Sequence, residues 1–212
     1  LGRRWSVLLG WSPGAFGADT ARAVLEADYR DTRRLDENDL LFWRGGLAGF
    51  WRREDHETEN AVATAGVTWR HRHAPAFALY AALDATRAWN LTPDRQLLLG
   101  GDNGLRGYPL GFQEGDRRVR LRLEERYYSD LHLLRLLHVG AAAFLDAGRA
   151  WFPGDPHDEA SGWIANVGVG LRVSTSRTVT DSILHIDLAF PLRRGGRDVE
   201  DVQLGVTLRE RF

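Results

Sequence analysis

Hydrophobic and polar residues alternate along most of the chain with a period of two. In the last twelve residues, one side of an extended chain carries Val202, Leu204, Val206 and Leu208. The other side carries Gln203, Gly205, Thr207, Arg209 and Arg211. The same alternation recurs in 118–128, 162–173 and 182–192. This pattern indicates β-strands whose two faces meet different surroundings.

The alternation predicts about ten antiparallel strands and no long helix. The predicted strands cover 3–12, 19–31, 40–53, 60–73, 75–89, 118–128, 136–147, 162–173, 182–192 and 201–212. Strands of ~9–13 residues are long enough to cross a bilayer at a tilt. The expected fold is therefore all-β, an antiparallel transmembrane β-barrel, with a soluble β-sandwich or barrel as the alternative that shares this alternation.

The segments between the strands differ in length, and aromatic residues collect near the strand ends. A tight turn is expected at 71–75, and long polar external loops are expected at 30–39, 53–60 and 152–162. Aromatic girdles mark the two interfaces of a membrane barrel. The candidates are Trp5, Trp11, Trp43, Trp51, Trp69, Trp89, Tyr127, Tyr128, Trp151 and Trp163.

Composition excludes several classes of function. The 212 residues carry a net charge of −1, which gives no general attraction to nucleic acid. The absence of cysteine excludes disulfides, zinc–thiolate sites and cysteine nucleophiles. Methionine is also absent, so we expect that the chain is processed or cut from something longer. No uninterrupted run of ~18 apolar residues predicts a membrane-spanning helix.

No motif predicts catalysis. His71 and His73 could offer two imidazoles to a metal on one strand face, but a pair flanking a turn is favoured because no third ligand lies nearby in sequence. The segment 168–170 is too short for a phosphate-binding loop, and no G-x-S-x-G motif is present. We expect no enzymatic activity, no cofactor and no metal.

The glycine-rich segment 100–116 carries the most specific signal. At its centre stand Leu105, Arg106, Gly107 and Tyr108, although a plain surface loop needs neither an arginine nor an aromatic residue there. This LRGY sequence is followed by LRLEERYY (121–128) and FLDAG (144–148). In this order the motifs resemble the BamA/TamA-type superfamily of outer-membrane assembly factors. The likeness is strong over 97–212 and weak over 1–96.

The resemblance implies a specific contact. In that family an (L/V)-R-G-(F/Y) tip folds back into the lumen of a sixteen-stranded barrel, facing a Phe-x-Asp-x-Gly strand, which is matched here by Phe144, Asp146 and Gly148. Alternation independently places Asp146 and Glu124 on polar strand faces, where a carboxylate needs a cation or water. We therefore expect Arg106 to pair with Asp146, supported by Glu124. We also expect Gly107 to permit close backbone approach and Tyr108 to pack on Phe144.

The resemblance further implies a location and a role. Residues 1–212 would form a single domain, the C-terminal portion of a barrel in the bacterial outer membrane, because sixteen strands need about 350–400 residues. Such a barrel inserts other outer-membrane proteins through a seam between its first and last strands. The implied partners are unfolded β-barrel clients, outer-membrane lipid and periplasmic helper domains upstream. No nucleic acid is implied.

The last strand would carry the family's C-terminal signal. The residues concerned are Gln203, Gly205, Leu208 and Phe212, with Glu210 interrupting the apolar row. Two alternative functions stay open at this point. One is a two-partner secretion pore for a single exoprotein, and the other is a membrane anchor for an upstream passenger domain.

Overall fold

The computed structural model describes residues 1–14, 20–101, 104–133, 136–154, 162–175, 182–194 and 198–210. Twelve strands lie within these ranges: β1 Gly2–Ser12, β2 Arg22–Arg34, β3 Asp39–Arg52, β4 Glu57–Ala74, β5 Phe77–Trp89, β6 Leu97–Leu99, β7 Gln113–Gly115, β8 Arg117–Leu133, β9 Leu137–Trp151, β10 Ile164–Thr175, β11 Ser182–Pro191 and β12 Gln203–Glu210. Over the same ranges, no helix has the length and apolar character needed to traverse a membrane.

Ten of the strands form one antiparallel sheet, in the order β1-β2-β3-β4-β5-β8-β9-β10-β11-β12. Each pairs with its neighbour along the chain, apart from the short β6 and β7, which pair with each other in the β5–β8 connection. All ten predicted strands are therefore confirmed, and so is the all-β class. The described part of the sheet is open, with β1 and β12 at its edges, so closure into a barrel remains a prediction.

The sheet has two chemically different faces. The polar face carries Glu124, Asp146 and Asp187, and the apolar face carries the residues that alternate with them, such as Leu123 and Leu145. The four residues predicted on the apolar side of the last strand are all exposed, from 44% for Val202, which immediately precedes β12, to 70% for Leu208. Trp5, Trp11, Trp51, Trp89, Tyr127 and Trp163 are also exposed. Apolar side chains thus cover a face that the described chain leaves open.

Two predicted long loops are wrong, because their polar residues form tight turns. The strand β2 continues to Arg34 and β3 begins at Asp39, so 30–39 contains a turn of only 35–38. There the Asp36 carboxylate accepts hydrogen bonds from the backbone amides of Asn38, at 2.7 Å, and Asp39, at 2.9 Å. These bonds lower the pKa of Asp36, with the Asn38 amide contributing most.

The second wrong loop is 53–60. The strand β4 begins at Glu57, and His56 takes a positive φ of 56°, which closes a short turn at 53–56. The tight turn predicted at 71–75 is confirmed, but it lies slightly later in the chain, because β4 and β5 are joined by residues 75–76. Most of the predicted loop 152–162 lies outside the described residues. The long connection in the described chain is 90–116, and we call its end of the sheet the loop end and the opposite end the turn end.

Candidate functional site: a loop tip held on the polar face

The connection 90–116 forms a compact unit on the polar face. Its tip is a turn in which the Tyr108 amide donates a hydrogen bond to the Leu105 carbonyl at 3.2 Å, with Arg106 and Gly107 at the corner. The Gly101 amide donates to the carbonyls of Leu105, at 3.0 Å, and Tyr108, at 2.8 Å. Gly101 has a φ of 56°, a conformation that glycine adopts readily. The glycines therefore fix the turn that projects Arg106 toward the sheet.

Arg106 joins the loop tip to three strands. Its Nε and Nη2 donate to the two carboxylate oxygens of Asp146 on β9, at 2.8 and 2.9 Å. Its Nη1 donates to Glu124 on β8 at 2.8 Å and to Asp187 on β11 at 3.2 Å. The predicted pairing with Asp146 and the support from Glu124 are confirmed. Such a bidentate bond fixes orientation as well as charge.

The Arg106 guanidinium is deeply buried. Its side chain is only 11% exposed, and that of Asp146 is 0% exposed. Burial alone would lower the pKa of Arg106, but hydrogen bonding to Asp146 and the charges of Asp146, Glu124 and Asp187 raise it above its ordinary value. The arginine is therefore charged at any physiological pH, and the contact acts as a permanent pin.

The surrounding charges balance. Arg126 donates to Glu124 at 2.6 Å, and Arg172 donates to Asp187 at 2.6 Å and lies 3.1 Å from Glu124. With Arg106, this makes three cations against the three carboxylates of Glu124, Asp146 and Asp187. Buried charges are tolerated when they are paired in this way, and removing one member strands the others.

The aromatic contacts differ from the prediction. Phe144 lies beneath Arg106, whose Cζ is 3.3 Å from the ring centroid, while Tyr108 packs against Phe112 with centroids 4.9 Å apart. The expected packing of Tyr108 on Phe144 was therefore wrong. The Tyr108 hydroxyl lies 2.8 Å from the Ala165 carbonyl oxygen and 2.7 Å from that of Arg193, and it can donate to either. Tyr108 thus anchors the tip at the loop end of β10 and β11.

Two glycines make room for this contact. A Cβ on Gly107 would lie 2.5 Å from the Cβ of Asn166, so the predicted close approach is confirmed. A Cβ on Gly148 would lie 2.8 Å from the Val119 carbonyl oxygen and 3.0 Å from the Cδ1 of Leu105. Leu105 is fully buried here, within a small core of Leu99, Leu105, Tyr108, Phe112, Ala150, Ile164 and Val199. The close packing of the loop against β9 thus explains why a glycine, Gly148, stands at the end of the Phe-x-Asp-x-Gly segment.

The last strand borders the same site. An open cavity of about 190 Å³ separates Arg106 and Tyr108 from the polar-face side of β12, where it is lined by Gln203, Gly205 and Thr207. Among the described atoms, none would lie within 4 Å of a Cβ on Gly205. Leu208 lies on the apolar face, and Phe212 lies outside the described residues.

Sequence reasoning missed four members of the site: Arg126, Asn166, Arg172 and Asp187. Alternation places them all on polar strand faces, so the face could be predicted. Their pairing could not, because Asp187 lies 81 residues from Arg106 along the chain. Asn166 donates to Asp146 at 3.1 Å, which holds that carboxylate toward the arginine.

The histidine pair lies away from this site. His71 Nδ1 is 3.0 Å from the Asp39 carboxylate, and its ring stacks on Trp69 with centroids 5.4 Å apart. Among the described residues, no group of three or more histidines and carboxylates is placed to hold a metal ion.

No protein-family model and no curated protein sequence matches this chain. The function of the site is therefore inferred from its contacts and charges.

Substitution of Asp187 by asparagine is expected to destabilise the protein by about 2 kcal/mol. The change weakens the charge-assisted bonds from Arg106 and Arg172, each worth roughly 1.5–3 kcal/mol, while Glu124 and Asp146 continue to hold Arg106. Denaturant unfolding of the reconstituted protein, followed by tryptophan fluorescence, measures the effect. A variant as stable as the wild type would show that Asp187 is not part of the pin.

Proposed function

We propose that the ten strands form part of a transmembrane barrel in the bacterial outer membrane and that this barrel assembles other outer-membrane proteins. The observation that carries the proposal is Arg106, which joins a folded loop tip to three strands on the polar face of a sheet whose opposite face exposes apolar side chains. The contacts of Arg106 would stabilise the sheet from inside the barrel, while the opposite face of the sheet contacts lipid.

The exposure of the apolar face favours lipid over water. A soluble sandwich would cover such a face with a second sheet, because large exposed apolar patches are rare on soluble monomers. Here the exposed leucines, valines and tryptophans extend from β1 to β12. The loop end carries Trp11, Trp51, Trp89 and Trp163, and Trp5 and Tyr127 lie toward the turn end. This distribution suits two interfacial belts.

The last strand supports an assembly role. In lipid, backbone groups at a strand edge need partners, so the free edges of β1 and β12 must be paired when the sheet closes. Gly205 weakens β12 from its middle, and an open cavity lies between this part of the strand and the loop tip. A weakly held edge can accept an incoming strand by backbone hydrogen bonding. This process exchanges backbone hydrogen bonds between strands and changes no covalent bond.

A liposome assay tests the function. The full-length protein is reconstituted, and a urea-unfolded outer-membrane protein is added, with folding read from its heat-modifiable mobility on a gel. We expect faster folding than in empty liposomes. Passage of one extended exoprotein without any gain in client folding would replace this proposal with the secretion pore, and the absence of both activities would favour the membrane anchor.

A further inference from the structure

Three arginines lie together on the apolar face at the loop end. They are Arg87 near the end of β5, Arg117 at the start of β8 and Arg149 near the end of β9. Their strand neighbours fix the face. Arg118 donates to the Leu98 carbonyl of the loop and lies 3.5 Å from the Thr86 hydroxyl, and Ala150 is buried in the core formed with the loop on the polar side. The arginines therefore belong to the surface that carries Leu83, Leu121 and Leu145.

The strand register makes these arginines neighbours. Arg87 is directly opposite Arg117, and Arg117 is directly opposite Trp151, two residues beyond Arg149. Side chains directly opposite have Cβ atoms about 4.5–5.5 Å apart, and diagonal neighbours are about 7–8 Å apart. The three positively charged side chains are thus close enough for a single phosphate group to contact them.

Tryptophans surround the arginine cluster. The Arg87 Cζ lies 4.9 Å from the ring centroid of Trp89, and the Arg149 Cζ lies 5.0 Å from that of Trp151. Trp163 immediately precedes Ile164, which is opposite Gly148, the neighbour of Arg149 along β9. Both cation–π contacts turn the guanidinium toward the strand end, which is the direction of water in a membrane-inserted wall.

Charges elsewhere on the apolar face are arranged differently. Toward the turn end, Asp31 lies 3.5 Å from Arg3 and 3.1 Å from Arg33. His71 and His73 in the same region have carboxylate neighbours, with Nε2 of His73 3.4 Å from Glu125. At the arginine cluster, Asp116 lies 3.9 Å from Arg117 Nε. The described residues of this patch thus bring three arginines together on neighbouring strands, whereas the turn end combines opposite charges in close pairs.

From this arrangement we propose that Arg87, Arg117 and Arg149 form a binding site for the phosphate headgroup of a membrane lipid at the loop end of the barrel. The guanidinium group of arginine can bind two phosphate oxygens at once. The flanking tryptophans are of the type that lies at the level of the lipid headgroups. The inference rests on the proposed function in one respect, namely that the apolar face contacts lipid. It adds a specific lipid class, one with an exposed phosphate, at one leaflet.

Fluorescent phosphatidic acid, titrated into the full-length protein in neutral detergent, tests this site. Phosphatidylcholine is the comparison lipid, and inorganic phosphate is the competitor. Basic residues near a membrane surface contribute roughly a fivefold gain each in affinity for anionic lipid. We expect wild-type protein to prefer phosphatidic acid, and the triple variant R87Q/R117Q/R149Q to bind it at least about tenfold more weakly. If the triple variant fails to fold, R87Q alone is expected to weaken binding about fivefold.

A charge-matched control removes three exposed arginines at the turn end, in the variant R4Q/R34Q/R72Q, of which Arg4 and Arg34 lie on the polar face. It should bind phosphatidic acid as the wild type does. Equal binding by the wild type and R87Q/R117Q/R149Q would overturn the inference, as would an equal loss in the control. Displacement of phosphatidic acid by millimolar inorganic phosphate would also overturn it, because the site would then take free anions.

The two proposals fail separately. Quenching of tryptophan fluorescence by brominated phosphatidylcholine in vesicles reports whether the protein inserts. Insertion and client folding without a preference for phosphatidic acid would refute the lipid site alone. A preference lost in the triple variant, in a protein that folds no client, would refute the assembly function and support the lipid site.

Discussion

Replacement of Arg106 by alanine is expected to release the loop tip and to destabilise the protein by about 3–5 kcal/mol, the usual cost of removing one partner from a buried charge pair. The loss is large because Asp146, which is fully buried, loses both of its bonds to the guanidinium. Glu124 and Asp187 keep Arg126 and Arg172, so the strands themselves should still pair. Denaturant unfolding in vesicles gives the free energy, and limited proteolysis of 90–116 reports release of the loop.

Two variants serve as controls for this result. Arg106→Lys keeps the charge but loses the bidentate fork, so an intermediate loss is expected. Arg194→Ala removes an ion pair with Asp201 in which both side chains are mostly exposed, and a change below about 1 kcal/mol is expected. Arg106→Ala protein with wild-type stability and a protease-resistant loop would contradict the pin.

Replacement of Gly107 by valine is expected to expel the loop tip while leaving every charge in place. A Cβ at this position would lie 2.5 Å from the Cβ of Asn166 and 3.3 Å from the backbone nitrogen of Pro191. Backbone cannot move aside cheaply, so overpacking should cost at least about 1–3 kcal/mol. It should also separate Arg106 from Asp146. The same unfolding and proteolysis measurements apply, and the loop should be cleaved as readily as in the Arg106→Ala protein.

The control for this variant is Gly162→Val. A Cβ on Gly162 would meet no atom of the described residues within 4 Å, so valine there should be tolerated. If Gly107→Val protein retained a protected loop while Arg106→Ala protein lost it, charge alone would hold the tip, and close packing against Asn166 would not be required.

The strands could be predicted from the sequence because each has one polar and one apolar side. The alternation of Val202, Leu204, Val206 and Leu208 reports an environment that repeats at every second residue, and the structure exposes all four on one face. The same logic assigned Asp146 to the polar face. The partnership of Asp146 with Arg106 was accessible because a resemblance in motif order pointed to it.

Other features depend on pairings that no local pattern encodes. Asp187 reaches Arg106 only because β9, β10 and β11 lie side by side and the loop crosses above them. The 30–39 segment is rich in charge, which suggested a loop, but Asp36 uses its carboxylate to close a turn between paired strands. Phe144 was assigned to the correct face and to the wrong partner, since a planar guanidinium competes with an aromatic ring for the same surface.

Photo-crosslinking from the last strand tests the central claim most directly, that the edge of β12 receives client strands. A photoreactive amino acid replaces Thr207 on β12 in one protein and Thr64 in another, where β4 is paired on both sides. Both threonines lie on the polar face, so the two sites differ chiefly in whether their strand has a free edge. We predict that an unfolded outer-membrane protein crosslinks several times more strongly at Thr207 and that the signal disappears as the client folds. Equal crosslinking at both positions, or stronger crosslinking at Thr64, would contradict the account and indicate passage through the interior instead.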